Sequence, residues 1–528
     1  MTMYWDLAES ERLKQQENLD SCKTQFQRNQ LGQFATSSDL AKEITAYLYH
    51  FWKKRKDKVR FLDPAFGTGS FYSALLRVFP PSLLESATGI EIDTSFVNTA
   101  RLLWQNTKLE VLNADFTKLS PPENNRKFNL ILTNPPYVRH HHLDLTEKIR
   151  LKQISKEILG VDINGLAGLY CYFIILAHQW LVKDGIGAWL VPSEFMDVNY
   201  GTALKSYLTD RVTLLHVHRF DPNDLQFKDA LVSSTVVIFQ NSKPLKTHKV
   251  KFSFGGTLLK PLSKMMICIP KLKSARKWSG LYKDTLSNSS DYKNTITLSS
   301  LFSIKRGIAT GANNFFILPI ENAHKLNIDE RFLTPILPSP RYLRETIIES
   351  DKKGYPIIEN QFVLINSDLP ESKIKQICPS LFYYLEQGKK QELHQKYLAT
   401  KRIPWYKQEY REPAPFLCTY MGRTTKNPNP FRFIMNKSKA IAANVYLLLY
   451  PIGPLKRALS KAPGLVDVIF QILQEICSKD LVAEGRVYGG GLYKIEPAEL
   501  GRVPAARIME ELNLNVEAPA IQQTLPFV

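Results

Sequence analysis

Four consecutive residues, Asn134-Pro135-Pro136-Tyr137, form the segment of this chain best suited to bind and polarise a flat amine. They directly follow the apolar run Phe128–Thr133, which is typical of a short buried strand. Because two successive prolines cannot continue a strand or enter a helix interior, the chain must turn there. The turn holds an amide and an aromatic ring at the carboxyl end of a strand, where open α/β sheets bind ligands. These groups suit a planar base with an exocyclic amine, although a plain proline-rich turn with a surface tyrosine would have the same residues.

A second set of candidate residues lies in a glycine-containing turn, residues 63–70, between a predicted strand and a predicted helix. Gly67 and Gly69 permit a tight turn and close approach of the backbone, and the N-terminus of the next helix favours negative charge. The following predicted strand ends at Glu91, about 20 residues beyond the turn, where a carboxylate can bind ribose hydroxyls. The turn and the acid together predict a nucleoside-type ligand without a 2′-phosphate.

The third predicted strand is followed by Asp115 and Phe116, an acid and an aromatic ring that suit the amine and the ring face of an adenine. Each of the three acids, Asp63, Glu91 and Asp115, could instead serve only as the N-cap of a helix. Their position at the ends of three successive strands favours the ligand-binding interpretation.

These residues need a scaffold in which short apolar strands alternate with helices, and the chain has that pattern up to about residue 240. Such alternation is typical of a Rossmann-like, doubly wound and mostly parallel α/β sheet. The predicted helices are 10–29, 39–52 (capped by Ser38 or Asp39), 71–78, 95–105 and 169–182. The predicted strands are 59–62, 87–90, 109–112, 130–133, 187–191, 214–217 and 232–239.

The charge of the chain indicates a polyanionic partner. The 528 residues have a formal net charge of +19 and a pI of about 9.4. Nucleic acid is the first candidate and an anionic membrane the second. Residues 230–283 contain no Asp or Glu but many lysines. We expect phosphate contacts there, with a solvated linker surface as the alternative.

The cysteines and the N-terminal residues predict a cytoplasmic protein without a metal site. Six widely spaced cysteines include no CxxC pair, which argues against a disulfide framework or a zinc site and suits a reducing compartment. The first thirty residues are too polar for a signal peptide, and the apolar stretch 169–182 is too short to span a bilayer. We expect no metal at His140, His141 and His142, because adjacent histidines on a loop rarely converge on one ion.

The ordered set of motifs resembles the S-adenosylmethionine-dependent DNA adenine-N6 methyltransferases whose target-recognition domain follows the catalytic domain. The motifs that carry this resemblance are Gln33-Phe34-Ala35-Thr36, residues 63–71, Glu91, Asp115-Phe116, Asn134 to Tyr137, residues 225–234 around Phe227, residues 306–311 and residues 489–494. The resemblance covers most of the chain.

The resemblance implies that the protein is an enzyme with S-adenosylmethionine as cofactor and double-stranded DNA as partner. The catalytic residues that it implies are Asn134, Pro135, Pro136, Tyr137 and Phe227. The cofactor-binding residues that it implies are Thr36, Asp63, Ala65, Gly67, Gly69, Glu91, Ile92, Asp115, Phe116, Asn134 and Pro136.

The predicted organisation is an N-terminal helical lead-in (1–32), a catalytic domain (33–245), a basic connecting segment (246–299) and a target-recognition domain (300–528). The last of these has frequent prolines and basic residues near aromatic ones, which predicts an irregular α+β domain. Its candidate DNA-binding residues are Lys305, Arg306, Arg402, Arg423, Arg432 and Arg486, with Lys426, Asn313, Asn314 and Asn444 as weaker candidates.

Two other functions remain open from the residues alone. An RNA or protein-glutamine methyltransferase would use the same four-residue turn, and a non-enzymatic DNA-binding specificity subunit could retain the fold. Because the cofactor motif begins near residue 33, we expect no nuclease domain before it. Any cognate restriction endonuclease is expected to be encoded separately. Glu371-Ser372-Lys373 has the spacing of a nuclease motif, but no suitably spaced aspartate accompanies it.

Overall fold

The computed structural model describes residues 2–224, 226–227, 233–281, 296–424 and 429–511. The chain divides into two units. The first contains Met1–Ser287 together with Tyr488–Gly491, and the second contains Asn288–Val487 together with Leu492–Val528. The strand-end residues singled out above belong to the first unit.

Nine strands form one sheet in the first unit: β1 (Val59–Asp63), β2 (Leu84–Glu91), β3 (Leu109–Asn113), β4 (Phe128–Thr133), β5 (Leu181–Pro192), β6 (Thr213–Arg219), β7 (Ser234–Gln240), β8 (Lys249–Gly256) and β9 (Pro261–Cys268). Their spatial order is β3-β2-β1-β4-β5-β7-β6-β8-β9. Strands β1 to β5 are parallel to one another, whereas β7 is antiparallel to β5 and β6. The prediction of a doubly wound, mostly parallel sheet is confirmed.

Helices cover both faces of this sheet: α1 (Thr2–Ser21), α2 (Gln25–Leu31), α3 (Ser38–Trp52), α4 (Ser70–Val78), α5 (Thr94–Leu103), α6 (Leu145–Leu159), α7 (Leu169–Leu176), α8 (Thr202–Asp210) and α9 (Ile269–Ser274). All six residues of β4 are buried, and its apolar residues contribute to the cores on both faces of the sheet. Leu130 and Leu132 pack with residues of α3 and α4, and Ile131 packs with residues of α7. Burial on both faces explains why β4 is mostly apolar.

The strand order creates a switch point beside β1. The chain passes from β1 to β2 and β3 on one side of it, then crosses back to β4 on the other side. Connections that diverge in this way leave a crevice at the carboxyl ends of the two strands, which is where such sheets bind ligands. Asp63 ends β1 at this crevice, and Asn134 directly follows β4.

Several local boundaries differ from the predictions, and the predicted helix 10–29 is divided between α1 and α2. The N-cap of α3 is Ser37, whose hydroxyl accepts from the Leu40 amide at 3.4 Å, and not Ser38 or Asp39. The predicted helix 169–182 is wrong at its C-terminal end, because α7 stops at Leu176 and β5 begins at Leu181. An unbroken apolar run does not distinguish a buried helix from a buried strand, so the sequence pattern does not show this change.

The segment predicted to connect the domains, 246–299, contributes β8 and β9 to the sheet. Strand β8 is parallel to β6, and β9 is the antiparallel edge strand. Its lysines include Lys249, Lys260 and Lys264, which are exposed. Residues 282–295 of this segment lie outside the described residues.

The second unit contains three smaller sheets. Its strands are β10 (Phe302–Arg306), β11 (Ile317–Pro319), β12 (Leu333–Leu337), β13 (Ile347–Ile348), β14 (Phe362–Ile365), β15 (Phe416–Thr419), β16 (Met421–Arg423), β17 (Phe433–Asn436), β18 (Ile441–Ala442), β19 (Tyr446–Pro451), β20 (Arg486–Tyr488) and β21 (Leu492–Lys494). The strand orders are β10-β19-β15-β17-β13, β11-β14-β12-β18 and β16-β21-β20.

The helices of the second unit are α10 (Leu298–Leu301), α11 (Asn313–Phe316), α12 (Ile320–Lys325), α13 (Glu371–Ile377), α14 (Pro379–Lys390), α15 (Gly453–Lys461), α16 (Leu465–Glu475), α17 (Ser478–Glu484), α18 (Pro497–Leu500) and α19 (Ala506–Glu511). Short strands from distant parts of the chain pair in these sheets. The unit is therefore α+β and irregular, as the sequence predicts.

Candidate functional site

A cavity of about 450 Å³ lies at the carboxyl ends of β1, β2 and β4. All of the predicted cofactor residues except Gly69 line it. The lining residues among the predicted set are Thr36, Asp63, Ala65, Gly67, Glu91, Ile92, Asp115, Phe116, Asn134 and Pro136. The structure therefore brings together residues that are spread over a hundred positions of the chain.

The carboxylate of Glu91 organises the glycine turn. One of its oxygens accepts from the Gly67 amide and the other from the Asp93 amide, each at 2.9 Å. Burial raises the pKa of Glu91 above its ordinary value. The acid at the end of β2 thus sets the shape of the turn as well as facing the cavity.

Asp63 is the more deeply buried acid, with 2% of its surface exposed. It accepts a hydrogen bond from the Ala65 amide at 3.1 Å. Burial raises its pKa to about 7, and the neighbouring charge of Glu91 adds to the rise. This carboxyl therefore changes its protonation near neutral pH.

Gly69 does not line the cavity but supports it from behind. Its φ of 90° is in the left-handed region, and it caps the start of α4. A Cβ atom at this position would lie 2.6 Å from the ring of Phe66. Glycine is required here because the turn must pass close over that ring.

Asp115 combines capping with a place on the cavity wall. Its Oδ1 atom accepts from the Thr117 amide at 2.9 Å and from the Thr117 hydroxyl at 2.8 Å. Arg150 on α6 holds the same loop by donating to the Thr117 carbonyl and hydroxyl. Phe116 is buried, with its ring centroid 5.1 Å from that of Phe173, another cavity residue.

The orientation of the Asn134 amide follows from its partners. Its Nδ2 atom donates to the Phe34 carbonyl at 2.9 Å and to the Thr36 hydroxyl at 3.1 Å. Because a carbonyl oxygen can only accept, the amide nitrogen must face Phe34, and Oδ1 takes the opposite branch. This Oδ1 atom is buried and has no hydrogen-bond partner among the described residues. The site thus holds a buried acceptor that can bind a donor from a ligand.

Tyr137 is too buried for a base to stack on its ring without a rearrangement. It is 7% exposed, and its hydroxyl donates to the Leu190 carbonyl at 3.0 Å. The ring centroids of Phe34 and Phe227 lie 5.7 Å from its own. A base that stacks on Tyr137 must therefore take the place of one of these rings. Of the motif around Phe227, Leu225 and residues 228–232 lie outside the described residues.

Sequence reasoning missed the contribution of the N-terminal helices and of α6. Gln16 and Asp20 of α1 line the cavity, as do Asp144 and Glu147 at the start of α6. The sequence predicts residues 1–32 only as a helical lead-in and assigns them no site residue. The polar residues of α1 recur at helical spacing, which is the signal that could have indicated a buried polar face.

Three of the candidate DNA-binding arginines hold the second unit together. Arg402 donates to the carbonyls of Ala309 and Thr310 at 2.6 and 2.9 Å. Arg432 donates to the carbonyls of Pro340 and Leu343 at 3.0 and 2.8 Å. The guanidinium of Arg486 pairs with Glu499 at 2.7 Å.

The other three candidates, Lys305, Arg306 and Arg423, are exposed. The guanidinium of Arg306 lies 4.1 Å from the ring centroid of Tyr420, within the range of a cation–π contact. Asn313, Asn314 and Asn444 line a separate cavity of about 700 Å³ in the same unit. Lys426 lies outside the described residues.

Other possible centres give no competing site in the part of the chain that the structure describes. The carboxylate of Glu371 pairs with Lys389 at 2.6 Å. No group of three or more His, Cys, Asp or Glu side chains is arranged to hold a metal ion among the described residues. No described helix is both long and apolar enough to cross a bilayer.

Two family models match the chain. Residues 81–226 match the Eco57I restriction-modification methylase, and residues 282–525 match the C-terminal domain of the Type II methyltransferase M.Eco57I. By class, the protein is a restriction-modification methyltransferase. Within that class, the two matched regions are similar to an Eco57I-type methylase domain and to the C-terminal domain of M.Eco57I.

Individual relatives agree with this assignment. The Type II methyltransferase M.AccI of Acinetobacter calcoaceticus is 27% identical over 493 residues, which is 90% of this chain and 85% of that protein. M.XamI of Xanthomonas campestris pv. amaranthicola is 27% identical over 84% of this chain and 80% of its own length. The Type IIL restriction-modification enzyme MmeI, solved in complex with DNA, has a similar fold, with a TM-score of 0.56 and 14% identity. That match covers 88% of this chain but only 64% of MmeI, so the chain spans less than two thirds of that enzyme.

Proposed function

We propose that the protein transfers a methyl group from S-adenosylmethionine to the N6 amine of an adenine in duplex DNA, as the modification component of a restriction-modification system. The observation that carries this proposal is the Oδ1 atom of Asn134. It is a buried acceptor at the edge of the cofactor-sized cavity, and its amide is held in one orientation by Phe34. An exocyclic amine is a donor that this atom can bind.

The cavity fits the proposed cofactor in charge and shape. The buried Asp63 and the partly buried Glu91 place two carboxyl groups on its wall, and Phe116 and Phe173 supply apolar surface. Carboxylates in a buried site favour a cationic ligand, and the aromatic rings suit a nucleoside base. S-adenosylmethionine, when bound, supplies a methyl group on a positively charged sulfur.

The residues of the turn would activate the amine by accepting its two hydrogens. Asn134 Oδ1 would accept one and the Pro135 carbonyl the other. Holding both hydrogens in this way draws the nitrogen lone pair out of conjugation with the ring and directs it toward the methyl group. Because the attacking amine is neutral, positioning and charge placement carry the acceleration, and no general base is needed beforehand.

The target base must leave the duplex before it can reach this turn, at a cost of a few kcal/mol of unstacking. Stacking on an aromatic ring recovers roughly 1–3 kcal/mol of that cost. Tyr137 is the ring beside Asn134, and Phe227 stands edge-on to it at 5.7 Å. We propose that the base enters between these two rings, so that it stacks on Tyr137 and packs beside Phe227.

The second unit is proposed to recognise the DNA sequence, in agreement with the high positive charge of the chain. We assign phosphate or base contacts there to the exposed cations Lys305, Arg306 and Arg423. The substrate places the enzyme in the cytoplasm. A cognate restriction endonuclease, encoded separately, is the expected partner.

Methyl transfer from labelled S-adenosylmethionine to duplex DNA, RNA and protein, measured in parallel, tests the proposal. We expect label in DNA only, and N6-methyladenine as the modified nucleoside in a mass-spectrometric digest. Label confined to RNA or protein would exclude DNA as the substrate. N4-methylcytosine in the digest would retain DNA and exclude adenine.

A further inference from the structure

Helix α1 packs on the first unit through a polar face. Glu9, Arg12 and Gln16 are buried, and they recur three and four positions apart, so they share one side of the helix. Large apolar residues of the same helix, including Tyr4 and Leu7, are more than half exposed. An amphipathic helix usually buries its apolar side, so this inverted arrangement needs a specific partner for the polar face.

The partner is the glycine turn. Arg12 is fully buried, and its Nε and Nη2 atoms donate to the carboxylate of Glu9 at 2.8 and 2.7 Å. Its remaining Nη1 atom donates to the hydroxyl of Thr68 at 2.9 Å. Burial opposes ionisation of Glu9, but its hydrogen bonds with Arg12 and the charge of Arg12 lower its pKa. The buried pair therefore stays charged, and it presents one fixed donor to the turn.

The hydrogen bonds continue in one direction from Thr68. Its hydroxyl, having accepted from Arg12, donates its single proton to Gln16 Oε1 at 2.7 Å. Gln16 Nε2 in turn donates to Asp20 at 3.0 Å, and Asp20 lines the cavity. We call this series, from Glu9 through Arg12, Thr68 and Gln16 to Asp20, the α1 chain.

Through Thr68, the α1 chain can fix the position of the glycine turn that lines the cavity. It stands between Gly67 and Gly69, which both have positive φ, and glycines lose much conformational freedom when they are ordered. Its hydroxyl accepts from Arg12 and donates to Gln16, so both roles are taken within the α1 chain. Its carbonyl accepts from the Trp104 indole at 2.9 Å. Thr68 therefore acts on a ligand by holding the turn in place and not through its own hydroxyl.

We infer that Arg12 is a positioning residue of the cofactor site, which holds the glycine turn through Thr68 and makes helix α1 part of that site. The inference rests on the proposed use of S-adenosylmethionine. Gly67, the neighbour of Thr68, donates its amide to Glu91, so the turn is fixed on its other side by the acid at the end of β2. Loss of the Arg12 contact removes one anchor of the turn and leaves those of Glu91 and Trp104.

Thr68→Val is the sharpest test, because it removes the hydroxyl and leaves the buried Arg12–Glu9 pair intact. Binding of S-adenosylhomocysteine is measured by calorimetry, and the free energy of unfolding by urea. We expect the affinity of Thr68→Val to fall about tenfold, the effect of one charge-assisted hydrogen bond. Thr68→Ser retains the hydroxyl and is expected to bind within about twofold of the unmodified protein, inside the additivity error of such measurements.

Arg12→Met is expected to destabilise the protein strongly, because it leaves the buried Glu9 with only Arg77, at 3.8 Å, as a cationic partner. The double variant Glu9→Leu, Arg12→Met removes both charges, and it should fold and show the same loss of affinity as Thr68→Val. Arg55→Met is the matched control. Arg55 also donates to a carboxylate and a carbonyl, those of Asp57 and Asp184, but neither partner lines the cavity. Its affinity for S-adenosylhomocysteine should not change.

Steady-state kinetics separate positioning from general stability. In Thr68→Val the KM for S-adenosylmethionine should rise while the KM for DNA stays constant. Unchanged affinity in Thr68→Val, or a loss that the unfolded fraction fully accounts for, would overturn the inference. Failure of the unmodified protein to bind S-adenosylhomocysteine at all would instead overturn the proposed function, so the two failures are distinct.

Discussion

The two units of the chain use their polar side chains in opposite ways. In the first unit, Asn134 keeps a buried acceptor without a partner among the described residues, and Asp63 holds its carboxyl at the cavity wall. In the second unit, Arg402 and Arg432 donate to main-chain carbonyls of their own domain. One unit leaves hydrogen-bonding capacity for a ligand, and the other uses much of its capacity to stabilise itself.

The two units differ in how well a residue type indicates function. A parallel sheet brings the carboxyl ends of its strands to one edge, so residues at those ends meet whatever the intervening sequence is. In the irregular second unit, arginines such as Arg402 and Arg432 connect loops from distant parts of the chain. An arginine there is as much a structural element as a candidate for ligand binding.

The largest effect is expected at Asn134, whose buried acceptor represents the ligand-binding use of polar groups in the first unit. Asn134→Ala should reduce methyl transfer by about 10²–10³-fold or more, the effect of removing one group that stabilises a transition state. Binding of S-adenosylhomocysteine should persist. Asn129→Ala is the matched control, because Asn129 lies on β4 but bonds only to the scaffold, at Asp57, Lys58 and Arg60. That variant should lose stability and keep its turnover number. A fully active Asn134→Ala enzyme would exclude this turn as the reaction site.

Arg432 tests the opposite use of a polar group. Arg432→Met should lower the free energy of unfolding by roughly 2–3 kcal/mol, since it leaves main-chain carbonyls without their charged donor. Urea unfolding measures this effect. Arg423→Met, a change at an exposed arginine, should be nearly neutral. If Arg432→Met instead kept its stability and altered the methylated sequence, Arg432 would be a base-reading residue.

Arg306 tests whether an exposed cation of the second unit binds DNA phosphate. Arg306→Ala should weaken DNA binding several-fold and reduce the slope of log affinity against log salt by about 0.9, as expected for one lost phosphate contact. Titration of duplex DNA at several salt concentrations measures both quantities. Arg331, which is already paired with Asp329 at 2.7 Å, is the control whose replacement by alanine should change neither. An unaltered salt slope in Arg306→Ala would remove it from the phosphate-binding set.

Asp63 gives the smallest expected effect. With a pKa of about 7, its carboxyl is partly protonated at neutral pH. A cationic ligand favours the charged form, so binding of S-adenosylmethionine at pH 7 should release a fraction of one proton. Its affinity should rise less than tenfold per pH unit through this range. Calorimetry in buffers with different ionisation enthalpies measures the release, which Asp63→Asn should abolish. Equal release with S-adenosylhomocysteine, which lacks the sulfonium charge, would contradict the assignment.

The stability of the folded protein should respond to the same carboxyl. The folded state binds this proton more tightly than the unfolded chain, whose ordinary aspartate pKa is 3.8. The contribution of Asp63 to stability is therefore lost as the pH rises from about 4 to 7. Asp63→Asn should remove this component of the pH dependence in urea unfolding.

Much of the first unit could be predicted from sequence because its chemistry follows strand order. Asp63, Glu91 and Asn134 each stand at the end of a recognisable strand, and the sheet assembles them. Arg12 and Gln16 could not be placed in this way, since their partner Thr68 lies 56 and 52 positions away on another element. No feature of the α1 sequence indicates that Thr68 is their partner.

Strands β8 and β9 show a different kind of limit. Residues 249–254 alternate between polar and apolar side chains, which is the pattern of a half-buried strand. The many lysines draw attention to charge and so to a linker, although charge on the exposed face does not prevent a strand from forming. In the second unit the partners of Arg402 and Arg432 come from distant loops, and no sequence periodicity specifies them.

The unpaired oxygen of Asn134 also has a consequence for the evolution of the protein. A buried acceptor without a donor costs about 1–3 kcal/mol in the resting state. If Asn134 activates the amine as proposed, selection for turnover retains this group against selection for stability. A gene copy no longer selected for methylation should then tolerate replacement of residue 134, which makes that position an indicator of whether a copy still methylates DNA.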